Sequence, residues 1–490
     1  MPHTIRSHLF LVAIVLAAFS FTSTARAADR PNIVVILCDD LGWGDLGCYG
    51  HPHIRTPRLN RLAAEGIRFT SYYTAAPVCS PSRVGLLTGR NPNRAGVYDW
   101  IPQANQAENS PLARHLVHLR AEEVTLPRVL REAGYATAMA GKWHCNAAFN
   151  DKRQPQPNDA GFDHWMATQN NAHPSHENPT NYVRNGKRVG PLKGFSCRLA
   201  AAEGIDWLTS HVDRKPDQPF FLYLPFHEPH EPVKSPPELV AGYKAVARNE
   251  NQAEYFANVE NVDLAVGEVL DTLDRLRLAE NTLVLFTSDN GPETLERYPA
   301  GVRCYGSPGP LRGMKLWTTD GGFRVPGIVR WPGHAPAGTT CDQPVSSLDL
   351  LPTFAALAGA ILPGTLALDG TNIAEVLHGR EIVRQRPLFW VYYNALNEQR
   401  VAMRDGPWKL LARLDGGALP QVSNITESNA AAARAAKLTD FSLYRISDDV
   451  AESRDLSQTE PVRLAELSAK MEAFYRELTT RMHVWPDVSR

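Results

Sequence analysis

Four apolar runs, far apart in the chain, each end in polar chemistry. Asn32–Cys38 leads into Asp39-Asp40, and Thr137–Gly141 leads into Lys142-Trp143-His144. Phe220–Leu224 opens a turn that carries His227 and His230, and Leu283–Ser288 leads into Asp289-Asn290-Gly291. Short, continuously apolar runs separated by helix-length segments read as buried strands of a parallel sheet. The chain is therefore expected to hold an α/β unit with a mostly parallel central sheet flanked by helices. Open sheets of this kind bind ligands at the carboxyl ends of their strands. Four such ends that deliver titratable groups predict one shared site.

Between and after these runs the pattern is regular. Ala253–Leu276 carries Val259, Val262, Leu264, Val266, Val269, Leu270 and Leu273 as an apolar face, and Ser347–Leu357 reads as a second packing helix. Beyond Pro387 the pattern changes to short strand-like runs, Leu388–Tyr393, Arg400–Arg404, Trp408–Ala412 and Ser442–Ile446. A long amphipathic helix follows, with Leu464, Leu467, Met471, Phe474 and Leu478 on its apolar side. The alanine-rich Asn429–Lys437 reads as a short helical insertion. The chain has 490 residues, enough for two structural units. The expected division is a large α/β domain at 28–385 and a small C-terminal α+β domain at 386–490.

The first residues resemble an export signal. His3, Arg6 and His8 precede the apolar run Leu9–Phe21, and Ala25-Arg26-Ala27 offers a small-residue cleavage site. Residues 1–27 are expected to be removed, leaving a periplasmic or secreted protein with no membrane span. The formal net charge is −1, so no bulk basic field points to nucleic acid. Seven cysteines, Cys38, Cys48, Cys79, Cys145, Cys197, Cys304 and Cys341, are too few for a disulfide scaffold in a chain this long. Cys38 reads as a small buried residue.

One cysteine stands apart. Cys79 opens the stretch Cys-Ser-Pro-Ser-Arg-Val-Gly-Leu-Leu-Thr-Gly, Cys79 to Gly89. Ser80 suits an N-cap, Pro81 the first helical position and Gly89 the helix end. Cys79 would then lie beside a helix N-terminus, whose free N–H groups and positive dipole end welcome an anion. This stretch resembles the Cys-x-Pro-Ser-Arg-x-x-x-Leu-Thr-Gly signature of the formylglycine-dependent sulfatases. The resemblance runs from Pro31 to the C-terminal helix and implies an alkaline phosphatase-like fold. It also implies that a maturation enzyme, a transient partner, oxidises Cys79 to formylglycine. The hydrated aldehyde would attack a sulfate ester carried by a carbohydrate, through a covalent sulfo-enzyme intermediate.

Asp39, Asp40, Asp289 and Asn290 make an all-oxygen set that suits Ca²⁺ or Mg²⁺ better than Zn²⁺. Asp-Asp-Leu-Gly-Trp-Gly-Asp and Asp-Asn-Gly resemble the family's metal motifs, which usually hold calcium, with converted Cys79 at the same ion. The resemblance further implies that Arg83 steadies the nucleophile and that Lys142 and Lys315 bind sulfate oxygens. It implies that His144 deprotonates the hydrated aldehyde. It places the acid for the leaving alcohol at His230, with His227 close behind. Lys142 and His144 alternate along a strand end and should project the same way. Asp320 stands where the family more often has Glu, a departure expected to leave the chemistry alone. His51, His53 and His378 read as structural or surface residues. The Asn-rich loop Asp163–Arg188, with Asn170, Asn171, Asn178 and Asn181, is a place where substrate preference could lie. Two other readings stay open: a phosphate or phosphonate ester hydrolase with the same nucleophile, and a binding protein that kept the fold and lost catalysis. The complete set of site residues speaks against the second.

Overall fold

The computed structural model describes residues 30–104, 114–294 and 297–487; the expected export signal lies outside them. Eleven strands form the main sheet. In chain order they are β1 Asn32–Asp39, β2 Ile67–Tyr73, β3 Ala136–Lys142, β4 His164–Thr168, β5 Val183–Arg184, β6 Lys187–Arg188, β7 Phe220–Pro229, β8 Thr282–Ser288, β9 Arg324–Arg330, β10 Thr339–Cys341 and β11 Val345–Ser346. The spatial order is β10-β2-β9-β8-β1-β7-β3-β4-β5-β6, with β11 also on β2. Its centre, β8-β1-β7-β3-β4, is parallel throughout, and the antiparallel pairs lie outside it.

The central strands bury both faces, and each face feeds a different core. Ile33, Val35 and Leu37 of β1 pack on one side with Leu86, Leu87, Leu130 and Phe354. Val34, Ile36 and Cys38 pack on the other with Leu208, Val262, Val266 and Leu270. This period of two is why the run is apolar without a break. The second core belongs to helix Ser196–Arg214 and to helix Glu250–Arg275, whose first turn is capped by the Asn249 side chain on Gln252 N–H. The expected helix Ser347–Leu357 is a 3₁₀ turn, Ser347–Asp349, running into α-helix Leu350–Leu357, because Ser346 and Asp349 form a capping box there.

The C-terminal unit is a four-stranded antiparallel sheet, β12 Leu388–Val391, β13 Val401–Asp405, β14 Trp408–Leu414 and β15 Leu438–Arg445. Helix Pro461–Arg481 buries Leu467, Met471, Tyr475 and Leu478, and Tyr475 donates to Ala433 O of the alanine-rich helix Ala430–Ala435. A buried charge cluster joins the two units. Lys409 Nζ lies 2.6 Å from Asp320 Oδ1 and 2.8 Å from Glu452 Oε1, all three groups being fully buried. Against the cost of burial, Lys409, Arg324 and Arg404 hold the Asp320 carboxyl below the usual carboxylate range. Asp320 thus serves this seam. All seven cysteines are free, and Cys38 is fully buried.

Candidate active site

The carboxyl ends of β1, β3, β7 and β8 converge as the sequence pattern requires. Adjacent residues of a strand point to opposite faces, so Asp39 and Asp40 cannot share a site while the strand continues. β1 ends at Asp39, and Asp40 turns to φ +64°, a left-handed conformation that brings the second carboxylate round to join the first. Asn290 Nδ2 donates to Asp40 Oδ1 at 2.7 Å, and Asp40 N–H donates to Asp289 Oδ1 at 3.3 Å. Gly291 must be glycine, since a Cβ there would meet Gly321 O at 1.8 Å. That close approach seats Asp289-Asn290 against the glycine pair that precedes β9.

Three cations answer the three carboxylates. Arg83 is wholly buried: Nε donates to Asp289 Oδ2 at 2.9 Å, Nη1 donates to Lys142 O at 2.8 Å, and Nη2 lies 3.4 Å from Asp39 Oδ2. Lys142 Nζ lies 2.5 Å from Asp39 Oδ2 and donates to Asn171 Oδ1 at 3.0 Å. Lys315 Nζ donates to Asp40 Oδ2 at 2.8 Å. Burial works against ionising Asp39, yet Lys142, His230 and Arg83 hold its carboxyl well below the usual range. Burial and the charge of Asp39 push Asp289 the other way, up to about 7. Asp39 Oδ1 and Asn290 Oδ1 are buried acceptors without a donor. Crowded carboxylates, unanswered oxygens and no sulfur or nitrogen in the set fit a hard divalent cation. One ligand atom each from Asp39, Asp40 and His230 also lies within 4.8 Å of the others. His230 Nδ1, however, is already turned to Glu231 O, 2.6 Å away.

Cys79 is the first residue of helix Cys79–Thr88, so the helix starts two residues earlier than its signature suggests. Val78 is the extended cap residue, with no side-chain cap. The Ser80 hydroxyl is spent elsewhere, accepting from Ile101 N–H at 2.9 Å. Gly89 closes the helix at φ +63° as expected. Every residue of this helix is buried, and Cys79 meets a cavity of about 400 Å³ that His144, His230, Glu231 and Lys315 also line. Burial pushes the Cys79 thiol up to about 12, although Lys142 and Lys315 pull it down.

Lys142 and His144 do not project alike by strand alternation. β3 stops at Lys142, and His144 sits at φ +51°. Lys142 stays in the layer beneath, on Asp39, while His144 reaches the cavity wall. His144 Nε2 lies 2.9 Å from Ile101 O and so carries the proton, leaving Nδ1 as a buried acceptor without a partner. Burial, Lys142 and Arg83 hold this imidazole well below its ordinary range, hence neutral. The two candidates at the end of β7, His227 within it and His230 just beyond, also part. His230 lines the cavity, with Nε2 3.7 Å from Asp40 Oδ2 and Nδ1 3.1 Å from Glu231 Oε2. His227 is turned into the core, Nε2 2.6 Å from Thr168 Oγ1 and its ring edge-on to Tyr182.

Several lining residues escaped the sequence reading. Glu231 is in the same turn as His230, and the second Glu of Phe-His-Glu-Pro-His-Glu-Pro was the available signal. Trp100, Arg297 and Tyr298 come from loops and carry no periodic signal. Asn171 was noted only as part of a polar loop; it proves to tie Lys142 to Glu231 O, donating to the latter at 3.0 Å. His51 is structural, its Nδ1 accepting from His53 and Ile54 N–H.

A buried cysteine at a helix start, with buried lysines, an arginine and crowded carboxylates at one end of a parallel sheet, suits an anionic ester. Residues 31–360 match the family described as Sulfatase, and residues 314–413 match "N-sulphoglucosamine sulphohydrolase, C-terminal". The chain belongs to the sulfatase family, whose members are sulfuric ester hydrolases. Arylsulfatase A of Homo sapiens is 35% identical over 422 residues, covering 81% of this chain and 77% of that protein. N-acetylgalactosamine-6-sulfatase of Canis lupus familiaris is 35% identical over 393 residues, covering 77% and 71%. The crystal structure of Ps i-CgsB in complex with k-i-k-neocarrahexaose aligns with a TM-score of 0.77 at 28% identity, covering 94% of this chain and 95% of that one. The phosphonate monoester hydrolase of Agrobacterium radiobacter shares the fold, with a TM-score of 0.59 at 20% identity over 91% and 96% of the two chains. No helix among the described residues is long and apolar enough to cross a membrane.

Proposed function

We propose that the protein hydrolyses sulfate esters of a carbohydrate with a formylglycine that a maturation enzyme makes from Cys79. The observation that carries this is the position of Cys79: first residue of a buried helix, on a cavity shared with Lys315, His144 and His230. The relatives named N-acetylgalactosamine-6-sulfatase and the neighbour bound to neocarrahexaose support a glycan substrate. The expected N-terminal signal supports a periplasmic or secreted location, with the catalytic unit ending near residue 385.

Asp39, Asp40, Asp289 and Asn290 would hold Ca²⁺, or Mg²⁺ in its place, a Lewis acid for sulfate oxygens. One hydroxyl of the hydrated aldehyde would attack sulfur and displace the alcohol; loss of the proton from the other would re-form the aldehyde and release sulfate together with the first oxygen. Lys315, at the cavity wall, offers a point charge to the sulfate, and Lys142 fixes Asp39 one layer below. Arg83 binds Asp289 and the Lys142 carbonyl, and so holds the floor on which residue 79 sits. His144 Nδ1 is the acceptor for a proton from the hydroxyl at position 79. His230 donates through Nδ1 to Glu231 O; as the imidazolium, with Asp40 and Glu231 beside the ring, it would also carry a proton on Nε2 to give to the departing alcohol.

The reading is tested with matched aryl sulfate and aryl phosphate esters, using protein co-produced with a maturation enzyme. Sulfate release is expected to dominate. Dominant phosphate release would move the function to phosphorus esters.

The histidine assignment has its own test. His230→Ala is expected to lower kcat by about 10²–10⁴-fold on a sugar sulfate, the usual worth of a general acid. The loss should be far smaller on nitrophenyl sulfate, whose leaving group needs no proton. His227→Gln should affect both esters alike, because its ring packs beneath the site. A leaving-group dependence that follows His227 instead would reverse the assignment.

A further inference from the structure

Lys315 stands at the tip of a tight turn. Trp317 N–H donates to Met314 O at 3.0 Å, so Lys315 and Leu316 are the two central residues. Leu316, the second of them, has φ +69°. A turn with positive φ at that place favours glycine, since any other side chain crowds its own backbone. Asparagine or aspartate at least offers the backbone a local hydrogen bond there. Leucine offers none, and Leu316 is the only apolar residue among the described non-glycine residues with positive φ.

The surrounding backbone holds this tip in place. Lys315 N–H donates to Pro292 O at 2.9 Å and Leu316 N–H to Pro77 O at 2.8 Å, while Leu316 O accepts from Leu396 N–H at 3.0 Å. The loop after β8, the approach to Cys79 and the loop between β12 and β13 each supply one of these bonds. They explain how the strain is borne, but not why the residue is leucine, because glycine would make the same three bonds. The reason must lie in the side chain. That side chain packs on Val78, Cys79, Tyr392 and Ala395, and it lines the catalytic cavity. Val78 and Trp100 are the other apolar residues of the lining; apart from Cys79, the rest carries polar or charged groups. Leu316 is therefore an apolar wall against the sulfur of residue 79, one position from the lysine offered to the sulfate.

We propose that Leu316 is a specificity-determining residue. Its side chain narrows the cavity beside residue 79, packs against the carbon skeleton of the departing alcohol, and excludes alcohols with bulk on the carbon next to the ester oxygen. The strained turn is kept because it presents a large apolar side chain and the sulfate-binding lysine at adjacent positions. The proposal rests on the reading above for the nucleophile at residue 79, and adds which esters that nucleophile can reach.

The test uses matured protein with 4-nitrophenyl sulfate, 2-tert-butyl-4-nitrophenyl sulfate and the two matching phosphates. The kcat/KM of the hindered ester is divided by that of the open one. Each variant is then compared with wild type, so that the intrinsic reactivity of the esters cancels. Leu316→Gly and Leu316→Ala should each raise the ratio by about tenfold or more, the scale on which a hydrophobic pocket discriminates. Leu316→Met, of similar volume, should keep the wild-type ratio. Denaturant midpoints give a second reading: Leu316→Gly should unfold at a higher midpoint than Leu316→Ala, because only glycine adopts φ +69° without strain. A ratio unmoved in both small variants, with both esters slowed alike, would make Leu316 a packing residue and overturn the proposal. An alanine variant as stable as the glycine one would overturn it too, by removing the strain that the side chain is said to outweigh. Dominant phosphate release with the expected ratios would overturn the sulfatase reading and leave the role of Leu316 standing. Failure of every ester with the aldehyde confirmed at position 79 would overturn both.

Discussion

Replacing Cys79 by alanine is expected to remove sulfate release by about 10⁴-fold or more while leaving the fold intact. The scale is that of losing a nucleophile, where only binding and charge stabilisation remain. The fold should survive because the change removes one buried sulfur from a helix whose ends are set by Val78 and Gly89. An unmodified thiol cannot supply the activity either. Burial pushes it up to about 12, so at pH 7 it stays a protonated, weakly nucleophilic thiol. Two measurements check this: sulfate release from wild type and Cys79→Ala, and mass spectrometry of the Cys79 peptide from active protein. The active fraction should carry an aldehyde in place of the thiol. Sulfate release that persists in Cys79→Ala, or active protein with an intact thiol, would remove Cys79 from the reaction.

The strands were legible because burial on both faces writes them as unbroken apolar runs. β1, β3, β7 and β8 all begin within a residue of where the pattern puts them, and the polar residue after each run is where the sheet opens to its site. What the pattern could not carry is local backbone conformation. Strand periodicity argues against Asp39 and Asp40 facing one cation and in favour of Lys142 and His144 facing the same way. Both inferences fail at left-handed residues, Asp40 and His144, where non-glycine backbone is rare. Such positions gather at sites because packing can hold them there. The β7 turn shows a second limit. His227 and His230 are chemically equal in sequence, and only a tertiary partner, Thr168 on β4, decides that one of them is core. The helix start moved for a similar reason: the Ser80 hydroxyl has a long-range donor, Ile101 N–H, that no local rule foresees.

The seam between the two units was visible only as a substitution. Asp320 reads in sequence as a departure of no consequence. In the fold its carboxylate takes Lys409 from β14 and the Tyr73 hydroxyl from β2, so one residue binds the C-terminal sheet to the catalytic one. The next loop along that sheet reaches the site itself: Tyr392 and Ala395 pack with Val78 and Cys79. The C-terminal unit is thus part of the wall around the nucleophile, and its stability is coupled to the geometry of the active site.

Arg83→Met is expected to lower stability by about 3–5 kcal/mol in the presence of a chelator, the usual cost of leaving buried charges without their partner. Methionine restores much of the volume, so the loss would report charge rather than a cavity. The variant keeps Asp39, Asp40 and Asp289 in a buried cluster with only two cations instead of three. Asp289, already raised to about 7 by burial and by Asp39, would be raised further. The sign follows from linkage. A carboxyl whose folded value lies above its unfolded one binds its proton more tightly in the native state, so its contribution to stability falls as pH rises from about 4 to about 7. In the variant that fall should extend to higher pH. A divalent cation reverses the order of effects: with one positive neighbour fewer, the oxygens of Asp39, Asp289 and Asn290 should gain more from Ca²⁺ than they do in wild type. Denaturant melts at pH 5 and pH 8, in chelator and in calcium or magnesium, separate these terms. Calcium should restore more stability to Arg83→Met than to wild type, yet leave its sulfate release low, because the Lys142 carbonyl and Asp289 have lost the group that joins them. Equal stability of the two proteins in chelator would mean that Arg83 does not compensate these carboxylates, and an equal gain from calcium would place the cation elsewhere.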